Sequence, residues 1–457
     1  MKTGADYRAS LHDSRYVVFR GERIDVTSHP AMTRAIERTA DTYDRFHQAG
    51  PGQVNPLFVV PRSPDDLRRQ IELIRDADVL ASVTYQSLFS LLTAAPAVSQ
   101  ADPVYGERIR AYYEEVTSQD LRVTECITDA KGDRSVAPGQ QPDPDAYVRV
   151  VARRPDGVVV RGAKLHITGA PLCHHLVVMP TKHMKPNEQD YAISCAIPVD
   201  SPGVKIVATT FDPWPRDPRD YVFSSHESMP DGFVVLDDVF VPYERVFLDG
   251  HTQYSSNFAH SLGLWERLGG TALMADEADL IVGLAQLAAD ANGLSSIPHV
   301  REKISELIIY ATLIRGGLEA ALVHHGTTPD GMVYPSELYT NAAKFYGAAN
   351  YSLMTRHLHD ISGGIAATAP ASADLAHHEL GPLLRKYLQG APSFTPDDRV
   401  KVMRAVRDFT ADTFGGWRYV TNLQSGGGLF AQRLVTRKHY DMRATLARTR
   451  RLIGLDG

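Results

Sequence analysis

The sequence predicts an α+β protein built in three consecutive parts: helices, then strands, then helices again. Three observations carry this prediction. Residues 30 to 120 place apolar side chains at three- and four-residue steps, the stretch after Leu121 breaks into short β-branched runs between Asp, Pro and Gly turns, and after residue 262 long helical periodicities return and persist. The expected domains are therefore a helical domain over 1–121, a central β domain over 122–262 and a helical bundle over 263–457.

In the first part, Met32 to His47 repeats apolar and aromatic residues at helical spacing. Pro64-Asp65-Asp66-Leu67 opens the next helix, with proline where the N–H has no partner to lose and acids where the helix dipole favours negative charge. In the second part, Tyr147 to Ala152, Gly157 to Gly162, His175 to Met179 and Gly232 to Val241 read as mostly antiparallel strands, with Arg154-Pro-Asp-Gly as a hairpin-type turn joining two of them. In the third, Ala272 to Ala291, Val300 to His324, Pro335 to His359 and Asp397 to Gly415 are each long enough for a bundle helix with one apolar face.

Composition narrows the function. The 457 residues, 43% apolar and 22% charged, suffice for two or three globular domains. Lys and Arg number 48 against 54 Asp and Glu, a net charge of −6, so no global basic field exists to collect nucleic acid or acidic lipid. Three cysteines, Cys126, Cys173 and Cys195, cannot make a disulfide framework, and their odd count fits a reducing compartment, the cytoplasm. The first residues lack an apolar signal region and no run of about 18 apolar residues occurs, so neither export nor membrane insertion is expected.

Several blocks carry a family likeness. Tyr7 to Arg15 with Gly21 to Pro30 resembles the opening of the 4-hydroxyphenylacetate 3-hydroxylase family, which also includes 4-hydroxybutyryl-CoA dehydratase. Asp129 to Ser135 resembles that family's entry into its β domain, and Val159 to Pro171 its central strand pair; Asp360 to Gly364, Ala391 to Thr395 and Gln432 to Leu434 follow the dehydratase-like branch. The resemblance implies an acyl-CoA dehydrogenase-like fold: an N-terminal helical domain, a central β-barrel domain that contacts a flavin, and a C-terminal helical bundle that builds a homotetramer.

The resemblance also implies site residues. Gly162 to Ala170 is similar to a strand that ends in Ile-Thr beside the flavin ring, which makes Thr168 the leading cofactor contact, with His166 and Gly169 next to it. A hydroxyl or N–H at a strand end offers the ring edge a fixed donor without mobile charge. The loop from Cys126 to Ser135 implies Thr128 at the pyrimidine edge, with Lys131, Arg134 and Ser135 toward the pyrophosphate or ribose. Gly363 and Gly364 resemble a pair that lets a neighbouring subunit's backbone approach the cofactor; a plain helix cap is the competing account.

Departures from the family pattern select the branch. The dehydratases hold an iron–sulfur cluster on cysteines of an N-domain helix and on a His and a Cys of the bundle, whereas Val83 to Ser87 and Trp265 to Gly270 supply none of these ligands, so no cluster is expected. The phenol hydroxylases bind and deprotonate the phenol with a His just before the flavin loop and an Arg and a Tyr on the N-domain helix. Glu125 falls at the His position, and Tyr85, beside Gln86, is the nearest tyrosine. A desolvated carboxylate there could act as base; a strand-edge Glu turned to solvent is the alternative. His166, Cys173, His174 and His175 are close in sequence, but adjacent strand histidines point to opposite faces, so a polar loop is expected rather than a metal site.

The expected function is the oxygenase half of a two-component flavin monooxygenase. Reduced FAD, with FMN the alternative, arrives from a separate NAD(P)H-dependent flavin reductase and is used with O₂ to hydroxylate a phenol-like or other electron-rich small molecule. The competing readings are a cluster-free dehydratase, isomerase or desaturase of an acyl thioester, and a homologue that binds without turnover.

Overall fold

The computed structural model describes residues 1–455 except 213, 215, 227 and 228. The first part holds helices α1 (Gly4–Ser10), α2 (Pro30–Phe46), α3 (Pro64–Asp76), α4 (Val79–Val98) and α5 (Pro103–Ser118). Helix α3 starts as its sequence dictates: Ser63 accepts from the Asp66 N–H, Pro64 sits at the first position, and Asp65 and Asp66 fill the first turn. Helix α4 is capped by Asp78, whose carboxylate accepts from the Leu80 and Ala81 N–H groups. By length and composition α4 could cross a membrane, yet it is buried inside the protein as the central helix of the N-terminal core, against α5 and α6 (Ser255–Ala291).

The β part contains two sheets. The strands are β1 (Val17–Phe19), β2 (Glu22–Ile24), β3 (Val123–Cys126), β4 (Arg149–Arg154), β5 (Gly157–Thr168), β6 (His175–Val178), β7 (Ile193–Pro198), β8 (Val204–Thr209), β9 (Asp231–Pro242) and β10 (Val246–Asp249). One sheet runs β2-β1-β8-β9-β5-β4 and the other β10-β7-β6-β3. The inner residues of both, such as Val160, Ile206 and Val234 from the first and Leu176, Ile193 and Ile197 from the second, share one apolar core. The β4–β5 hairpin closes at Arg154 opposite Gly157, where the turn was expected.

Two pairings depart from the antiparallel expectation. Strand β1, from the otherwise helical N-terminal part, adds in parallel to β8 with Val17 opposite Ile206, and β3 pairs in parallel with β6, Glu125 opposite Val177. Strands of three or four residues are too short to show a period, and parallel pairing is set by distant chain.

The third part is a bundle around α6, α7 (Pro298–Val323) and α8 (Glu337–Ser362), with the small hairpin β11 (Gly326–Thr327) and β12 (Val333–Tyr334) between the last two. It continues through α9 (Ile365–Thr368), α10 (Ser372–Leu375), α11 (Leu380–Tyr387), α12 (Pro396–Thr410), α13 (Thr413–Gln424), α14 (Leu429–His439) and α15 (Met442–Leu452). Helix α6 begins at Ser255, within the stretch assigned to the β part. The single helix expected over Asp397 to Gly415 is two, because the Asp412 side chain accepts from the Thr413 N–H and restarts the helix as α13.

Candidate functional site

Helix α4 and strand β3 are locked together by side-chain hydroxyls. Thr84 donates its hydroxyl to the Val123 carbonyl and accepts from the Val123 N–H, both at 3.0 Å. One turn on, Ser87 Oγ donates to Glu125 Oε2 at 2.6 Å. Positions 84 and 87 share a helix face, so the spacing that ties α4 to β3 also delivers Ser87 to Glu125. On α6, Glu266 adds a like charge to the site and is itself held by the Ser425 hydroxyl at 2.9 Å. Burial, and then the nearby Glu266 carboxylate, push the Glu125 carboxyl up to about 8. Glu125 thus faces a helix rather than open solvent, the outcome that alternation along a strand could not decide.

Tyr85 lies elsewhere. Two residues before Ser87, it points to nearly the opposite side of α4, where its ring centroid is 4.8 Å from that of Phe89 and 5.6 Å from that of Trp265. Its hydroxyl reaches Gln70 Oε1 at 3.4 Å, and burial holds its pKa well above the usual tyrosine range. The structure therefore places Tyr85 in the N-terminal core and not beside Glu125.

The loop after β3 is anchored from below. The Lys164 ammonium, 2.8 Å from Asp129 Oδ1, also donates to the carbonyls of Ile127 and Met179. Thr181 bonds the other Asp129 oxygen and the Ile127 carbonyl. The Thr128 carbonyl accepts from the Leu165 N–H at 2.7 Å. Lys131 has positive φ, +70°, and its N–H donates to the Ala146 carbonyl. Burial and the charge of Arg134 lower its pKa. Arg134 and Ser135 are exposed, and the Ser135 hydroxyl turns back to Asp133 Oδ1 at 2.7 Å.

The end of β5 lies beside β3. The Thr124 hydroxyl donates to the Thr168 carbonyl at 2.7 Å, and the Thr168 hydroxyl donates to Asp231 Oδ1 at 2.8 Å. Burial raises the pKa of Asp231. His166 is exposed at φ +60°, in the bulge between Lys164 and Ile167. Gly169 has φ +74°, and a Cβ there would lie 2.6 Å from Leu80 Cδ1, so its missing side chain lets α4 close on the strand end. Gly363, at φ +71°, ends α8; beyond the adjoining residues, nothing among the described residues of the single chain lies within 4 Å of where a Cβ would stand at Gly363 or Gly364.

A second polar group on the bundle side went unmarked in the sequence. Lys344 is buried and donates to the Asn422 carbonyl at 2.7 Å, with burial lowering its pKa to about 8. Arg267 bonds the Gly426 carbonyl at 2.8 Å, and Arg418 pairs with Glu277. The available signal was a set of charged residues in helical stretches otherwise apolar, Glu266 and Arg267 among them. In the histidine stretch, expected as a polar loop, His174 accepts from the Arg122 N–H and contacts Ser10 Oγ, each at 2.8 Å, and burial keeps both His174 and His175 neutral. Cavities of about 330 and 340 Å³ open near Leu11 and Arg15 and near Val54 and Gln70, and neither is lined by Glu125, Thr128 or Thr168.

Comparison with known proteins agrees with this architecture. Residues 3–248 match the family profile described as 4-hydroxyphenylacetate 3-hydroxylase N terminal, and residues 255–454 its C-terminal counterpart. The chain is 28% identical over 432 residues, 91% of this chain and 89% of the relative, to the 4-hydroxyphenylacetate 3-monooxygenase oxygenase component of Thermus thermophilus. It is 26% identical over 494 residues, the whole of both chains, to 4-hydroxybutyryl-CoA dehydratase/vinylacetyl-CoA-Delta-isomerase of Clostridium aminobutyricum. Among solved structures, the oxygenase component of 4-hydroxyphenylacetate 3-monooxygenase complexed with FAD superposes with a TM-score of 0.87 at 26% identity, covering 99% of this chain and 98% of that one.

Proposed function

Because the chain belongs to the 4-hydroxyphenylacetate 3-hydroxylase family, we propose that it is the oxygenase component of a two-component flavin-dependent monooxygenase acting on a phenol-like or other electron-rich aromatic molecule. The observation that carries the reading is the Glu125 carboxyl, held by Ser87 on the family's base-bearing segment and raised to about 8. The cofactor would be FAD, with FMN the alternative, delivered reduced by a separate NAD(P)H-dependent flavin reductase. We place the enzyme in the cytoplasm as a homotetramer, with Gly363 and Gly364 available to a neighbouring subunit.

The residues present fit a flavin nucleotide. Thr128 and Thr168 stand partly exposed where the ends of β3 and β5 meet, and Lys131, Arg134 and Lys182 form a positive rim along the adjoining loop that suits a pyrophosphate. Held there, a reduced flavin would supply the electrons that activate O₂. Glu125 takes the proton from the substrate hydroxyl at its carboxylate oxygen, which makes the aromatic ring more electron-rich. A base near 8 is much better matched to a phenol of pKa about 10 than an ordinary carboxylate would be. Ser87 orients that carboxylate, and Glu266 keeps it basic.

Three buried thiols bear on the dehydratase reading. Cys126, Cys173 and Cys195 lie in the β core rather than on α4 or α6, the helices on which the dehydratases carry their cluster ligands. The decisive experiment supplies purified protein with reduced FAD, isotopically labelled O₂ and a panel of phenols and aromatic amines. A product carrying one labelled oxygen is expected; hydrogen peroxide release alone with every aromatic, together with turnover of an acyl thioester under strict anaerobiosis, would overturn the proposal.

A further inference from the structure

Away from Glu125, three helices bring together two imidazoles and a carboxylate. His260 from the start of α6, Glu337 from the first turn of α8 and His439 from the end of α14 place their ligand atoms within 4.8 Å of one another. His260 Nε2 is 2.7 Å from Glu337 Oε1, and His439 Nε2 is 4.0 Å from Glu337 Oε2. The two rings lie nearly parallel, with centroids 5.8 Å apart.

The pairing leaves the carboxylate half used. Glu337 Oε2 is buried without a hydrogen-bond partner among the described residues, because His439 stands beyond hydrogen-bond distance. Along α8 the deficit recurs one turn on, where Thr340 Oγ1 and Asn341 Oδ1 are also buried and unpartnered among the described residues. Arg267, the neighbouring cation, turns its Nε to the Gly426 carbonyl, and among the described residues no ion pair joins it to Glu337. A buried carboxylate oxygen without a donor, beside two imidazoles, describes a place for a cation, since an unpaired buried acceptor is unfavourable until something positive meets it.

We propose that His260, Glu337 and His439 bind one divalent transition-metal ion of the Zn²⁺ class. Imidazole and carboxylate donors suit such an ion, and metal–ligand bonds of about 2.0–2.2 Å put neighbouring donors roughly 3.3 Å apart, between the two separations found here. His439 ends its helix and is partly exposed, so it can close the gap by a side-chain rotation. This is not the family's iron–sulfur arrangement, because no thiolate takes part. The ion would pin α14 to α6 and α8. Helix α14 leaves the loop of Gly426 to Gly428, which follows directly on Ser425, the partner of Glu266, so the ion would stiffen one wall of the candidate active site.

The test uses the full chain, stripped with chelator and titrated with Zn²⁺ by calorimetry, with bound metal counted by elemental analysis. One ion per chain is expected, with affinity reduced at least tenfold in His439→Ala and in Glu337→Gln, and with Mg²⁺ unable to replace Zn²⁺. His439 is at an exposed helix end, so that variant keeps the fold, and retained helical circular dichroism verifies it. Zn²⁺ should also slow proteolysis of the segment after Gly428 in the parent chain and leave His439→Ala unprotected. No binding, equal binding of Mg²⁺, or unchanged Zn²⁺ affinity in both variants would overturn the site.

Discussion

The Ser87 hydroxyl lies 2.6 Å from Glu125 Oε2 and joins helix α4 to the strand that carries the candidate base. Glu125→Gln should lower the hydroxylation kcat by about 10²–10⁴-fold, the range for a lost general base, while flavin affinity stays within about threefold. In the parent enzyme kcat/KM should climb as pH rises through about 8, as the carboxyl ionises. Ser87→Ala removes a bond to the ionised form, so it should move that midpoint higher. A kcat/KM that is flat from pH 6 to 9 would refute the assignment.

The same carboxyl bears on stability. Below the ordinary glutamate range both folded and unfolded chains hold the proton; above it the unfolded chain loses the proton while the folded chain keeps it up to about 8. The stability associated with this group is therefore present at acid pH and falls as pH rises through that window. Relative to the parent, Glu125→Gln should gain about 1–3 kcal/mol between pH 5 and 8, less than the full shift implies because the side chain is partly exposed. Chemical denaturation at several pH values measures it, and a pH-independent difference would contradict it.

Beneath the loop after β3, Lys164 and Asp129 form an ion pair in which both side chains are 2% exposed. Removing one partner leaves a buried charge, so Asp129→Asn and Lys164→Met should each cost about 3–5 kcal/mol. Because Lys164 holds the Ile127 carbonyl next to Thr128, flavin affinity should fall with it. Replacing both together should cost less than the sum of the single changes, which a double-mutant cycle reads directly.

Two glycines with similar φ should respond differently. Gly169→Ala combines left-handed backbone with a contact to Leu80, and should cost about 2–4 kcal/mol. Gly363→Ala meets only the backbone term, about 1–2 kcal/mol in the isolated chain. A larger effect of Gly363→Ala on assembly or flavin binding than on the melting of the chain would place a neighbouring subunit there.

Much of this architecture is legible in local sequence. Proline and acids open α3, a β-branched run on each side of Pro155-Asp156 forms the β4–β5 hairpin, and the apolar faces of α6, α7 and α8 announce a bundle. The legible part of the candidate site is the run from Glu125 to Thr128 and the end of β5, two short stretches that the family resemblance marked. Tyr85 was misleading because helical position, not proximity in sequence to Ser87, decides which side of α4 a residue takes. Glu266, Lys344 and the group of His260, Glu337 and His439 carry no local mark, since their partners lie on other helices.

By itself the chain determined the order of helices and strands and the hairpin, because periodicity and turn chemistry act over a few residues, while the family resemblance marked Glu125 ahead of the loop after β3. Only the tertiary structure decided that Glu125 meets Ser87 and Glu266 and so keeps its proton up to about 8. It likewise decided that β1 joins β8 and that Tyr85 belongs to the core. The physical reason is that desolvation and charge coupling depend on which distant segments exclude water from a group, and the folded packing of α4, β3 and α6 sets that.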